Sequence, residues 1–344
     1  MPTVPLTFNH HGMTFNHRYL SFERPDPNPL NLPPFTIRLK YKPGTEPSPV
    51  RASSVLVDAT ENIWDVTRND TSWNELLMDN TNLLEVMGAN SDGVKLMTRM
   101  FLGCSSLISV AFFDTRSVTA MWYMFAFCTS LTTIPLFYTG NVTEMDGMMG
   151  YCSALISFPP LITTYVTNMS SMFRECRSLP SIPLLDTRNV TNMESMFAEV
   201  NLTTIPLLDT SNVTNMRSMF EKSSITSVPD LNTSKVTDMT RMFDGCSRLT
   251  YMPNFNTSNV TGMSRMFYQA NHLKEIRLID TSKVENVDSM FEETDNVETG
   301  ALALYRQMAN QANPPQSHNG TFRGCGQSTA SGSSELGQIP SGWK

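Results

Sequence analysis

Charge is scarce in this chain. Only 17% of its 344 residues are Asp, Glu, Lys or Arg, and 32 acidic against 25 basic side chains leave a net charge of −7. There is no basic block, and phosphate binding needs clustered Lys and Arg, so nucleic acid is not an expected partner. No run of about 18 apolar residues exists, which leaves no membrane-spanning helix to be read. The opening MPTVPLTFNHHGMTFNHRYL has neither a basic start nor an apolar stretch of the length of a secretory signal. Six cysteines occur without a C-x-x-C pair, so the usual zinc spacing is missing. No nucleophile stands beside a base, and His272 and His318 are isolated in the sequence. The expectation is therefore no enzyme, with no catalytic, cofactor-binding or metal-binding residue and no cofactor.

What the chain has in abundance is one phrase. It returns nine times, at Met100-Phe101, Met124-Phe125, Met148-Met149, Met172-Phe173, Met196-Phe197, Met219-Phe220, Met242-Phe243, Met266-Phe267 and Met290-Phe291, at steps of 23 or 24 residues. A fixed period of this length implies one small unit stacked on copies of itself. In the copy DTRNVTNMESMFAEVNLTTIPLL (186–208), Val190, Met193, Met196, Phe197 and Val200 follow steps of three and four. That spacing predicts an amphipathic helix, with Thr187 or Asn189 as its cap. The β-branched LTTIPLL predicts a very short strand. It is closed by a proline that recurs as Pro135, Pro159, Pro183, Pro206, Pro229 and Pro253. The predicted fold is thus an α/β solenoid, a right-handed superhelix of about ten 23–24-residue units, each a short helix plus a short parallel strand. Helices pack at about 8–10 Å and strands at about 4.8 Å, so the array is expected to bend with its strands inside.

Other recurrences belong to the same unit. Cys104, Cys128, Cys152, Cys176 and Cys246 stand three residues after the Phe (or Met149), where Val200, Ser223, Ala270 and Thr294 serve elsewhere. A place that takes Cys, Val, Ser, Ala or Thr wants a small buried side chain, and free inward thiols follow. The N-V-T sequons at Asn141, Asn189 and Asn212 read as helix-start chemistry. Asp114, Asp186, Asp209 and Asp280, replaced by Asn232 and Asn256, read as turn hydrogen bonding rather than a calcium ladder.

The phrase in DTSNVTNMRSMF (209–220), NTSKVTDMTRMFDGCSRL (232–249) and NTSNVTGMSRMF (256–267) resembles the BspA-like leucine-rich repeat family. The resemblance covers about residues 64 to 298. It implies a leucine-rich-repeat type solenoid used for recognition or adhesion, on bacterial surfaces and in bacteriophage-encoded proteins, with no enzymatic activity and no fixed binding residues.

Along the chain the reading gives four parts. Residues 1–54 are a proline-rich extended arm or docking segment, in which FTIRLKYK (35–42) alternates like one strand and His10, His11 and His17 lie close together. Residues 55–98 cap the solenoid, with Trp64 over the open end of its core. Residues 99–298 are the BspA-like repeats. Residues 299–344 hold a helical insertion, GALALYRQMANQ, and a capping repeat in which Phe322 and Cys325 return. There ELGQIP echoes the strand after a Ser/Gly-rich turn or mobile loop.

Binding is expected on the outward residues of the short strands: Thr132, Thr133, Ser157, Thr203, Thr204, Thr226, Thr250 and Tyr251. A second patch is offered by Trp122, Tyr123, Tyr138 and Tyr165. An adhesin-like repeat without a visible export signal suggests a virion protein, a capsid, fibre or tail component of a bacteriophage particle. Residues 1–54 would dock on other virion proteins, and the solenoid would meet a host surface protein or glycan. Self-association into a homo-oligomer stays open. The alternative is a bacterial cell-surface adhesin of the BspA-like type.

Overall fold

The computed structural model describes residues 28–49 and 51–344. The triplet His10, His11 and His17 and the first half of the expected arm lie outside the described residues. A five-stranded mixed sheet opens the fold, from β1 (Thr36–Tyr41), β2 (Ser53–Asp58), β3 (Ile63–Thr67), β4 (Leu83–Asn90) and β5 (Ser109–Val110), in the order β2-β3-β1-β4-β5. Strand β1 lies antiparallel to both β3 and β4, whereas β5 joins β4 in parallel. The alternating FTIRLKYK is the middle of this sheet: Ile37, Leu39 and Tyr41 are fully buried, so residues 36–41 of the expected arm are core. Trp73 is fully buried beneath the first repeat, and Trp64, in β3, packs against the same core half-buried.

The predicted α/β solenoid of helix-plus-strand units is overturned. Among the described residues there are two short α-helices, α1 (Ala301–Asn310) and α2 (Ala330–Gln338), and both follow the repeats. No M-F segment is helical, and apart from the two-residue β5 the expected strands do not form. The residues foreseen as core are core, with Val190, Met193, Met196, Phe197 and Val200 all 0–1% exposed. They reach it by consecutive turns. Ser195 and Glu199 have φ of 54° and 58°, and the same two places are left-handed in each M-F repeat, for example Tyr123 and Phe127, or Arg265 and Gln269. A right-handed helix cannot pass through them.

Hydrogen bonding shows what the turns achieve. Met193, Ser195, Phe197 and Glu199 donate N–H to the carbonyls of Asn215, Arg217, Met219 and Glu221 in the next repeat, at 2.7–3.0 Å. The intervening Met196 and Ala198 donate within their own turn, to Met193 and Ser195 at 3.2 and 3.1 Å. Alternate N–H groups thus tie repeat to repeat, which an α-helix, bonding every N–H to its own i−4 carbonyl, cannot do. One recurring parallel bridge marks the register, Asn168↔Asn192, Asn192↔Asn215, Asn215↔Asp238 and on to Asn286↔Ser317, and a second, Glu275↔Thr299, joins it near the end. In the LTTIPLL segments the prolines remove donors, and only scattered bonds such as Thr226 N–H to Thr203 C=O (2.9 Å) cross.

Side chains stack at the same interval. Phe173, Phe197, Phe220, Phe243, Phe267, Phe291 and Phe322 form one column with centroids 5.3–6.0 Å apart and planes within 16° of parallel. Met149 interrupts it, and there Phe137 lies against Phe125 and Phe158 meets Phe173 edge-on. Because the turn segments stack at nearly strand spacing, the helix–strand size mismatch expected to bend the array is not present. The buried D-T threonines form another column: Thr163, Thr187, Thr210 and Thr233 donate hydroxyls to the carbonyls of Asp186, Asp209, Asn232 and Asn256. The cysteine column does the same in the opposite direction, Cys128 Sγ donating to Phe101 C=O at 3.2 Å and Cys152 Sγ to Phe125 C=O at 3.1 Å. Where the place holds a thiol or hydroxyl it also donates, as Thr294 does to Phe291 C=O at 2.7 Å, whereas Val200 and Ala270 fill it by volume alone. The sequon asparagines are not helix starts: Asn189 and Asn212 donate Nδ2 to Thr164 and Arg188 carbonyls of the preceding repeat.

At the far end α1 begins at Ala301; residues 326–329 are turn and bend as expected, but α2 takes the rest of the expected loop to 334 and the first four residues of the expected strand ELGQIP. Thr329 caps α2 by accepting from Gly332 N–H at 3.0 Å. Gly332 rests on Val297 C=O, where a β-carbon would collide, so this small-residue helix lies directly on the last repeat. Phe322 closes the phenylalanine column, and its N–H donates to Trp343 C=O at 2.9 Å. No helix among the described residues is long and apolar enough to cross a membrane.

Two outcomes test this packing. Phe243→Ala, which opens a gap between two stacked rings, should cost about 3–5 kcal/mol in denaturant unfolding. All six thiols are free and buried, and burial pushes those of Cys104, Cys152, Cys246 and Cys325 up to about 12. Thiolates form more readily in the unfolded chain, so folding stability should hold below about pH 9 and fall as pH rises toward 12. Thiol reagent should count six groups on denatured, unreduced protein and almost none on native protein.

Candidate binding face

The recurring residues of each repeat are consumed in stacking, so specificity has to come from places that vary. The hydroxyl set is distributed as a strip along the proline-bearing segments. Thr132, Thr133, Ser157, Thr203, Thr204 and Tyr251 are exposed, whereas Thr226 and Thr250 are half-buried. Several hydroxyls are already engaged: Ser157 Oγ donates to Thr133 Oγ1 at 2.9 Å, and Thr226 Oγ1 to Thr203 C=O at 3.1 Å. Tyr251, 66% exposed, projects freely.

Beside this strip runs an apolar row that the sequence reading missed. Leu136, Leu184 and Leu207 are 39–54% exposed, each directly after a proline, and Pro160 fills the place between them. Two adjacent apolar residues after the proline, in I-P-L-F (134–137) and I-P-L-L (182–185 and 205–208), gave the signal. In a pleated or extended segment, one of each such pair must point away from the core.

The second expected patch divides. Tyr138 and Tyr165 are exposed (39% and 62%) on the D-T side, while Trp122 and Tyr123 sit half-buried among the M-F turns. There they meet residues that were not foreseen. Phe127 stacks on Tyr151 at 4.2 Å and 8°, Arg99 lies 4.5 Å over the Trp122 ring, and Arg174 lies 5.6 Å from the Tyr151 ring. Tyr123 covers Gly147, whose missing side chain leaves room for the ring. Phe127 and Tyr151 both occupy left-handed backbone, φ 61° and 65°, a conformation that bulky residues rarely hold. The available signal was a departure from the repeat. Residues 147–151, GMMGY, replace the S-M-F pattern of the later repeats.

Ion pairs run along this face, and the arginines among the aromatics take part in them, Arg99 with Glu75 at 3.3 Å and Arg174 with Glu199 at 3.7 Å. In later repeats the equivalent places hold paired charges: Arg265 with Asp244 at 2.8 Å, Arg241 with Glu221 at 3.4 Å, and Arg323 with Glu292. Asp146, whose charge acts on Tyr123, has no ion pair among the described residues, and desolvation raises its carboxyl above the usual range. Trp122 Nε1 and the Tyr123 and Tyr151 hydroxyls make no hydrogen bond among the described residues. Burial first, then the Asp146 charge, raises the Tyr123 phenol. The D-T aspartates accept instead from the backbone N–H two residues on, as Asp209 does from Ser211 (3.0 Å) and Asp280 from Ser282 (2.9 Å). No cluster of three or more His, Cys, Asp or Glu able to hold a metal occurs among the described residues.

A family model described as "Mycoplasma protein of unknown function, DUF285" matches residues 71–176, 95–204, 158–225 and 199–303, which together take in more than half of the chain. No curated protein matches it.

Asp146 offers a direct test of these electrostatics. Its folded pKa is raised, so the protonated carboxyl is favoured by folding, and that contribution is lost as pH rises from 3.8 through the folded value. Asp146→Asn should therefore raise the melting temperature at pH 7. The difference should vanish below about pH 3.8, read by thermal unfolding across pH.

Proposed function

The chain belongs to this DUF285 family, and from that premise we propose that it is a non-enzymatic attachment protein, a structural and recognition component of a bacteriophage particle. The observation that carries the reading is the division of labour within each repeat. Recurring residues stack inward, and the varying places gather half-buried Trp122, Tyr123 and Tyr151, exposed Phe127 and two arginines on one face. Exposed Trp, Tyr and Arg are the residue types that dominate binding interfaces. The hydroxyl strip and the leucine row extend the same use. The BspA-like resemblance, which rests on the repeat phrase, points the same way. Catalysis has no part in the proposal.

In this reading the arm attaches the repeats to other virion proteins, and the repeats face a host protein or glycan. Because residues 36–41 form the central strand of the sheet, the docking role falls on the residues before position 28. The reading as a bacterial cell-surface adhesin stands beside it, and the bacterial genus in the family description favours that second reading. Deleting residues 1–27 should leave circular dichroism and melting temperature unchanged while abolishing incorporation into particles, scored on purified virions. Normal incorporation of the shortened chain, or recovery of the full chain on a cell surface without particles, overturns the virion reading.

A further inference from the structure

Strand β2 lies at the edge of the opening sheet, paired with β3 and with no other element. Its sequence is S-S-V-L-V-D, and every residue from Ser53 to Val57 is exposed. The register assigns their faces. Ser54 and Leu56 lie opposite Val66 and Trp64, on the side of the buried Ile37 and Leu39, whereas Val55 lies opposite Asp65 on the solvent side. The core stops short of β2: Leu56 is 44% exposed on the face where Leu39 is fully buried. On the other side Val55 is 64% exposed, and Val57, set at a bulge, is 47% exposed. Three consecutive apolar side chains thus stand open on a strand whose outer backbone groups meet no other strand among the described residues. Edges of this kind are commonly guarded by lysine, proline or a bulge. Here β2 has neither Lys nor Pro, and its bulge lies at its far end.

Charge selects the occupant and its direction. Arg51, exposed just before β2, makes no ion pair among the described residues. The other end of the strand carries Asp58 and Glu61, and Asp58 spends only Oδ1, on the N–H groups of Thr60 and Glu61. An antiparallel copy of β2 brings each basic end to the acidic end of the other, whereas a parallel copy sets like against like. We infer that β2 pairs with β2 of a second copy of this chain, antiparallel about a two-fold axis at Leu56, so that two sheets become one. In that register the two Leu56 side chains meet on the inner face, and Val55 of each copy meets Val57 of the other outside. Ser54, whose hydroxyl has no partner among the described residues, faces Asp58 of the second copy, and Arg51 faces Glu61. A two-fold pairing uses the same edge on both sides, so assembly closes at the dimer. One short strand pair makes a small interface, and the dimer is expected to be weak and concentration-dependent. None of this depends on the attachment reading.

Sedimentation velocity of the full chain from about 1 to 200 µM should show monomer passing into dimer. Changing both valines, Val55→Lys with Val57→Lys, sets lysines against each other across the axis and should weaken the dimer roughly tenfold. Both side chains are exposed, so the circular dichroism of the monomer should not change. Residues directly opposite in an antiparallel pair have Cα atoms about 4.5–5.5 Å apart, within disulfide range. Leu56→Cys should therefore cross-link two copies on mild oxidation, while Tyr251→Cys, equally accessible, should not; the six native thiols are buried. A chain lacking residues 1–27 should dimerise as the parent does. Monomer at every concentration, undiminished dimer in the lysine variant, or no cross-link through Leu56→Cys overturns the inference. So does dimer that appears only when residues 1–27 are removed, which makes that segment the cover of the edge, or dimer lost with them, which moves the interface there.

Discussion

Everything in this molecule depends on the backbone hydrogen bond between repeats. It sets the layer spacing, and the side chains follow it. Phenylalanines stack in parallel because their backbones are held one layer apart, and the buried threonine and cysteine columns find carbonyls at a fixed offset for the same reason. Left-handed residues at two places per repeat are the cost, of roughly 1–2 kcal/mol each for residues other than glycine. A helix would avoid that cost but would leave its neighbours without backbone bonds.

That exchange explains what was legible in the sequence. The period, the buried set and the inward thiols are direct consequences of side-chain type. Val190, Met193, Met196, Phe197 and Val200 are buried whether the chain turns or winds. The element itself was hidden, because spacings of three and four fit consecutive turns as well as a helix. The positions that decide between them are occupied by Tyr123, Ser195, Glu199, Arg241 and Lys222, residue types that do not announce a positive φ. Only Gly103, Gly147 and Gly245 gave a hint. The final helix was concealed in the opposite way, since a Ser/Gly-rich stretch reads as loop until its close seat on Val297 is known.

The candidate face was half legible. Trp122 and Tyr123 stand out in any reading, being rare residue types side by side. Their partners Phe127 and Tyr151 fall in different repeats and become neighbours only when residues 24 apart are stacked. Most members of the hydroxyl strip are exposed, yet two of its threonines turn partly inward, the Ser157 hydroxyl bonds that of Thr133, and the Thr226 hydroxyl is spent on a backbone carbonyl. Repetition makes such errors systematic: a wrong assumption about one unit is copied along the array.

The left-handed place that holds Phe127 in one repeat and Tyr151 in the next also acts as a ruler. Its side chains are spaced by backbone layers, which are nearly constant, and cannot be moved closer or farther by substitution. Changing a residue alters what stands at a mark, never where the mark is. A partner that is itself periodic can then engage several marks at once only if its own period is commensurate with the layers. Discrimination on such a surface rests on length matching as much as on the chemistry of any one contact.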